Sequence, residues 1–151
     1  MGVGGNDRVK VFTYGSLVVS EVWALVAGRL HEAEPAVLHG FRRRQIHGAS
    51  YPGIIPAQGE HTEGILWSGV NARELERLDD FEGDMYERRA VAVQVDSGTV
   101  QAEVYVVLDE HAHLLSPNAW DEALFRSREL AVYLEGCRAF AADWDGRSAR
   151  D

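Results

Sequence analysis

At 151 residues, 46% hydrophobic and 26% charged, the chain has the composition of one globular domain large enough to bury a core, which excludes wholesale disorder. Fifteen basic against twenty-four acidic residues leave a formal charge of −9, which disfavours nucleic acid and anionic membranes, whose binding depends on neutralising phosphates. No stretch reaches the roughly 18 consecutive apolar residues of a membrane span. The opening residues lack the basic and apolar regions of a signal peptide, and Asn6 stands where myristoylation needs Ser or Thr, so a cytoplasmic location is expected.

Residues 1–8 are expected to be flexible, residues 9–145 to form a single domain, and residues 146–151 to be a frayed tail. Residues 9–14 are β-branched and aromatic and predict a first strand. The strand breaks at Tyr14-Gly15-Ser16-Leu17 and gives way to a helix, with Ser20 as N-cap and Val22, Trp23, Val26 and Leu30 along one face. Such a break leaves amide N–H groups without intrahelical partners, and these attract anionic or polarised oxygens. It can equally be a plain strand-to-helix turn.

Residues 36–48 read as extended. Arg42, Arg43 and Arg44 lie within them and cannot share one face of a strand. They are read as a solvated strand, with an arginine that neutralises a substrate carboxylate as the alternative. Pro52, Gly53, Pro56 and Gly59 predict a loop of about ten residues, longer than most connections. Tyr51 and Ile54 either line a pocket from that loop or cover the end of the sheet.

After a strand over residues 64–70, Asn71 and Glu74 form a capping box that opens a helix. Leu75, Leu78 and Phe81 make its apolar stripe, and Gly83 can take the left-handed conformation that ends it. Glu82 is thereby held at a defined helix end beside an aromatic ring. Opposite a cradle of amides, such a carboxylate would make an acid/base site.

Alternation over Val91, Val93 and Val95 and again over Val100 to Leu108, about the turn Asp96-Ser97-Gly98-Thr99, predicts a β-hairpin. His111 and His113 invite a metal reading, but with no third ligand in view they read as a polar turn, and no metal site is assigned. Ser116 as N-cap and Pro117 at the first helical position predict a long helix carrying Trp120, Leu124, Ala131 and Leu134. Cys137 is the only cysteine, which excludes an intramolecular disulfide, and its helical spacing with Leu130, Leu134 and Ala141 marks a buried structural thiol. Strands first with interspersed helices give an α+β domain built round a curved sheet or small barrel.

Three motifs in order carry a resemblance. The Tyr14-Gly15-Ser16-Leu17 turn, the Tyr51-Pro52-Gly53-Ile54-Ile55-Pro56 segment, and Leu78-Asp79-Asp80-Phe81-Glu82-Gly83 followed by Tyr86 and Arg88 together resemble the γ-glutamylcyclotransferase-like superfamily, in its AIG2-like and γ-glutamylamine cyclotransferase branch. The likeness runs from about residue 9 to residue 108. It implies a mixed β-barrel of five to six strands with flanking helices, and a single catalytic glutamate, matched by Glu82. Tyr14, Gly15, Ser16 and Leu17 match the substrate-cradling turn, and Tyr86 is the further substrate-binding candidate, against a plain core role.

The reaction implied is attack of a γ-glutamyl compound's own α-amino group on its γ-carbonyl, which closes 5-oxoproline and releases an amine or amino acid. It needs one base and a set of donors for the oxyanion, but no metal, cofactor or enzymic nucleophile. The expected partner is therefore a small molecule. Two alternatives stay open: an acyl or aminoacyl transferase using the same pocket, and a non-catalytic binding module.

Overall fold

The computed structural model describes residues 8–150, with the side chains of 148–150 excepted. The expected flexible N-terminus thus lies almost wholly outside the described residues. Five strands form a closed barrel in the order β1-β3-β2-β4-β5: β1 (Val9–Thr13), β2 (Glu32–Gln45), β3 (Pro52–Val70), β4 (Tyr86–Val95) and β5 (Gly98–Val107). Every pairing is antiparallel except the closure, where β1 runs parallel to β5 with Val11 opposite Glu103. The expected mixed barrel with flanking helices is therefore what forms.

Alternation along the strands sorts side chains to two cores. Phe12, Leu66, Val104 and Val106 point into the barrel with Leu38, Ile54 and Val93. Their neighbours Val11, Trp67 and Tyr105 point outward, against the helices α1 (Ser20–Ala27), α2 (Ala72–Glu82) and α4 (Leu130–Arg150). Trp23 of α1 stacks on Trp67, their ring centroids 4.7 Å apart and the planes 5° from parallel. Cys137 is fully buried in this outer core, where burial raises its thiol to about 11, as befits a structural role.

Three expectations need correcting. Residues 52–59 are not a loop but the first half of β3, paired with β2 from Gln45↔Pro52 to Phe41↔Pro56. Proline is tolerated in a sheet at a strand's first residue and at bulges. Pro52 opens the strand, and Pro56 sits beside the register shift between His39 and Phe41. Ser20 is the first residue of α1 and not its cap. A 3₁₀ turn, Ser16–Val18, runs directly into the helix, so that the backbone of Val19 takes the N-cap place without a side-chain bond.

Ser116 and Pro117 do not open the last helix. The Ser116 amide donates to the Gln45 carbonyl and the Gln45 amide to that of Asn118, so this segment is tied to the end of β2. The helix waits for Asp121, whose side chain caps the Leu124 amide at the start of α3 (Glu122–Leu124). A π-helical turn, Phe125–Glu129, then leads into α4, which stays helical through residues 146–150. Among the described residues, no helix is long and apolar enough to cross a membrane.

Candidate active site

Where β1 ends, the 3₁₀ turn, the C-terminus of α2 and the side of α4 enclose a cavity of about 180 Å³. Its wall includes all four residues of the turn, Tyr14, Gly15, Ser16 and Leu17, and also Glu82 and Tyr86. Residues far apart in the sequence are thus brought to one site.

The turn is held from behind. The Arg43 guanidinium donates to the Tyr14 carbonyl at 2.8 Å and lies over the Trp120 ring, 5.7 Å from its centroid. Arg43 therefore supports the turn and is not a cavity-wall residue, while Arg42 pairs with Glu60 at 2.6 Å. On the other side, the Tyr14 hydroxyl donates to the Tyr105 carbonyl at 2.7 Å. Gly15 is required by space: a Cβ there would sit 2.7 Å from Cδ of Pro52. The amides of Val18 and Val19 close on the Gly15 and Ser16 carbonyls. Those of Ser16 and Leu17 come too early in the turn to have an intrahelical acceptor.

Glu82 is the last residue of α2. The capping box fixes the start of that helix: Asn71 accepts from the Glu74 amide and Glu74 from the Asn71 amide. Gly83, at φ 75°, stops it. Glu82 is half-buried because it faces the cavity, yet the protein around its carboxyl is dense. Burial first, and the nearby Asp79 second, push its pKa up to about 8. Among the described residues no group donates a hydrogen bond to it. Asp79, one turn earlier, is well supplied, accepting from Tyr105 at 2.7 Å and from Arg88 at 2.9 Å.

A lone desolvated carboxylate at a helix end, facing a glycine turn across a small cavity, is the arrangement that the three motifs implied. The Gamma-glutamyl cyclotransferase, AIG2-like family matches residues 11–122. The chain belongs to this family. AIG2-like protein D of Arabidopsis thaliana is 32% identical over 137 residues, covering 89% of this chain and 90% of its own. Protein AIG2 C of the same plant is 39% identical over 99 residues, covering 64% of this chain and 60% of that protein's length. The solution structure of a third Arabidopsis thaliana protein superposes with a TM-score of 0.69 at 29% identity, over 97% of this chain and 88% of that one.

Within this AIG2-like chain the other candidates divide. Tyr86 lines the cavity, but its hydroxyl donates to the Pro52 carbonyl at 3.0 Å, fixing the proline that presses on Gly15. Tyr51 is also in the wall, whereas Ile54 is fully buried inside the barrel. His111 and His113 lie in a 3₁₀ turn, Asp109–Leu114, outside the wall. Among the described residues, no three His, Cys, Asp or Glu side chains come together as a metal set.

Sequence reasoning missed Tyr105 and Tyr133, both wall residues. Tyr105 carried a usable signal, as a tyrosine on the outward face between Val104 and Val106. Tyr133 carried none, since a tyrosine on a helix stripe reads as packing.

Proposed function

We propose that this chain is a γ-glutamyl cyclotransferase that converts a γ-glutamyl amine or γ-glutamyl amino acid to 5-oxoproline and a free amine, with Glu82 as general acid and base. The observation that carries this reading is the Glu82 carboxyl set in dense protein, with no hydrogen-bond donor among the described residues, in the cavity that also holds the turn; that burial pushes its pKa up to about 8. An ordinary carboxylate near 4.3 is a poor base for an α-ammonium near 8, because each unit of mismatch costs about 1.4 kcal/mol. A carboxyl at about 8 removes most of that gap, so the proton moves between partners of similar affinity.

In this scheme Glu82 takes a proton from the α-ammonium, and the freed amine attacks the γ-carbonyl carbon. Charge gathers on the carbonyl oxygen, and the tetrahedral centre collapses with cleavage of the γ C–N bond. The two protons lost by the α-nitrogen are the two gained by the departing amine, so Glu82 ends ionised as it began. Amides of the 15–17 turn serve as donors for the substrate's anionic oxygens. Phe81 and the cavity tyrosines limit water, which favours both the raised carboxyl and the uncharged amine.

The test is a panel of γ-glutamyl amino acids, γ-glutamyl-ε-lysine and glutathione, assayed for 5-oxoproline with wild type and Glu82→Gln. Release by wild type and its loss in the variant are expected, with kcat/KM rising with pH up to about 8. Absence of release from every member, with both proteins folded, would overturn the reading.

A further inference from the structure

Each hydroxyl on the cavity wall carries one proton, and where that proton is spent decides what the wall can offer a ligand. Tyr14 gives its proton to the Tyr105 carbonyl, Tyr86 to that of Pro52, Tyr105 to Asp79, and Thr13 to the carbonyl of Ile65. These four can accept from a ligand but have nothing left to donate. Ser16 and Tyr133 differ: their oxygens lie 2.8 Å apart and share one hydrogen bond between two hydroxyls. Either oxygen can donate in this pair, and with Tyr133 donating the Ser16 proton is left free on the wall that both residues line. Tyr51 also has an uncommitted hydroxyl, but it comes from the β2–β3 connection and not from the turn with the unpaired amides.

The charge of the wall makes that proton matter. Among the described residues lining the cavity there is no Lys, Arg or His. A carboxylate entering beside Glu82 must be met by neutral donors alone. Resting on the cyclotransferase reading, we propose that Tyr133 is a positioning residue of the substrate site, holding the Ser16 hydroxyl as a donor to the α-carboxylate of the γ-glutamyl group alongside the amides of Ser16 and Leu17.

Tyr133 is well placed for this. It lies on α4, beyond the family-matched segment 11–122, and lines the cavity from that last helix. Its ring is held edge-on by Phe81 at 6.4 Å and by Phe125, the first residue of the π-helical turn, at 5.3 Å between centroids. Burial raises the phenol's pKa well above its ordinary value, so the donor persists wherever Glu82 can act as base. An α-carboxylate is charged in the ground state and in the transition state alike, so this contact belongs in KM and not in kcat.

The experiment measures steady-state 5-oxoproline release on whichever panel substrate wild type turns over best, for Tyr133→Phe, Ser16→Ala and the double variant. Tyr133→Phe keeps the ring and its packing, and thermal melts check that each variant is folded. Each single variant is expected to raise KM about ten- to a hundredfold with kcat within about twofold, the value of one hydrogen bond to a charged group. The double variant is expected to be no worse than the weaker single one. An unchanged KM in Tyr133→Phe, a fall in kcat in its place, or penalties that multiply would overturn the proposal while wild-type turnover upholds the cyclotransferase reading. A wild type silent on every substrate would overturn both.

Discussion

The two ends of α2 each carry a glutamate, and the two behave oppositely. Glu74, at the N-terminus, is buried, which raises its pKa, but bonds from the Asn71 amide, His31 and Arg29 outweigh the burial and hold it below the usual range. Glu82, at the C-terminus, is desolvated without a donor and is pushed up to about 8, with Asp79 adding to the rise. Helix polarity works in the same sense, since an N-terminus favours negative charge and a C-terminus disfavours it. One residue type on one helix thus has its pKa held down at one end and pushed up at the other, and only the neighbours differ.

Glu82→Gln sharpens the contrast most. It is expected to lower 5-oxoproline release by about 10²- to 10⁴-fold with the fold intact, read by product assay and circular dichroism. Glu74→Ala should do the reverse. It removes the capping box and leaves the buried His31 and the exposed Arg29 without their carboxylate. Chemical denaturation is expected to show a loss of about 2–4 kcal/mol, with kcat changing little under conditions where the variant stays folded.

Acid and base separate the two ends further. From about 4.5 up to about 8 the folded protein keeps on Glu82 a proton that the unfolded chain gives up, so stability falls as pH rises through that window. Glu82→Gln should therefore match wild type near pH 4 and exceed it above pH 8 by up to about 5 kcal/mol, visible as a Tm gap that opens with pH. Glu74 has a lowered pKa, so its contribution is present at neutral pH and is lost as pH falls through its folded value. Melts in which the Glu82→Gln gap closes toward high pH would break the comparison.

The smallest effect is expected from Asp79→Asn, which removes the negative charge one turn earlier that adds to the rise of Glu82. The acidic limb of the kcat/KM profile should move down by less than about one pH unit, since burial remains the larger cause.

Much of this was legible in the residues, and the reasons are local. The Asn71/Glu74 box, the Gly83 stop and the Asp96-Ser97 hairpin are signals contained within a few positions, and each forms as read. Glu82 could be placed because a stop glycine fixes its position at a helix end. The first half of β3, residues 52–59, was not legible as strand, because Pro and Gly mark a turn unless a partner strand is known to accept them. Ser116-Pro117 has the residues of a helix start, but a long-range bond to Gln45 claims its backbone. The base strength of Glu82 lay out of reach for the same reason. It depends on what surrounds the carboxyl and not on what adjoins it in the chain.

The parallel seam between β1 and β5 has a consequence for synthesis. The Tyr14 hydroxyl reaches a carbonyl 91 residues further along the chain, and Val11 finds Glu103 only when the barrel closes. A chain emerging from the ribosome presents the glycine turn early but cannot seat it until β5 is out, and Tyr133 arrives later still. Contacts of such long sequence separation form slowly, so binding competence is expected to be the last property this protein acquires as it is made.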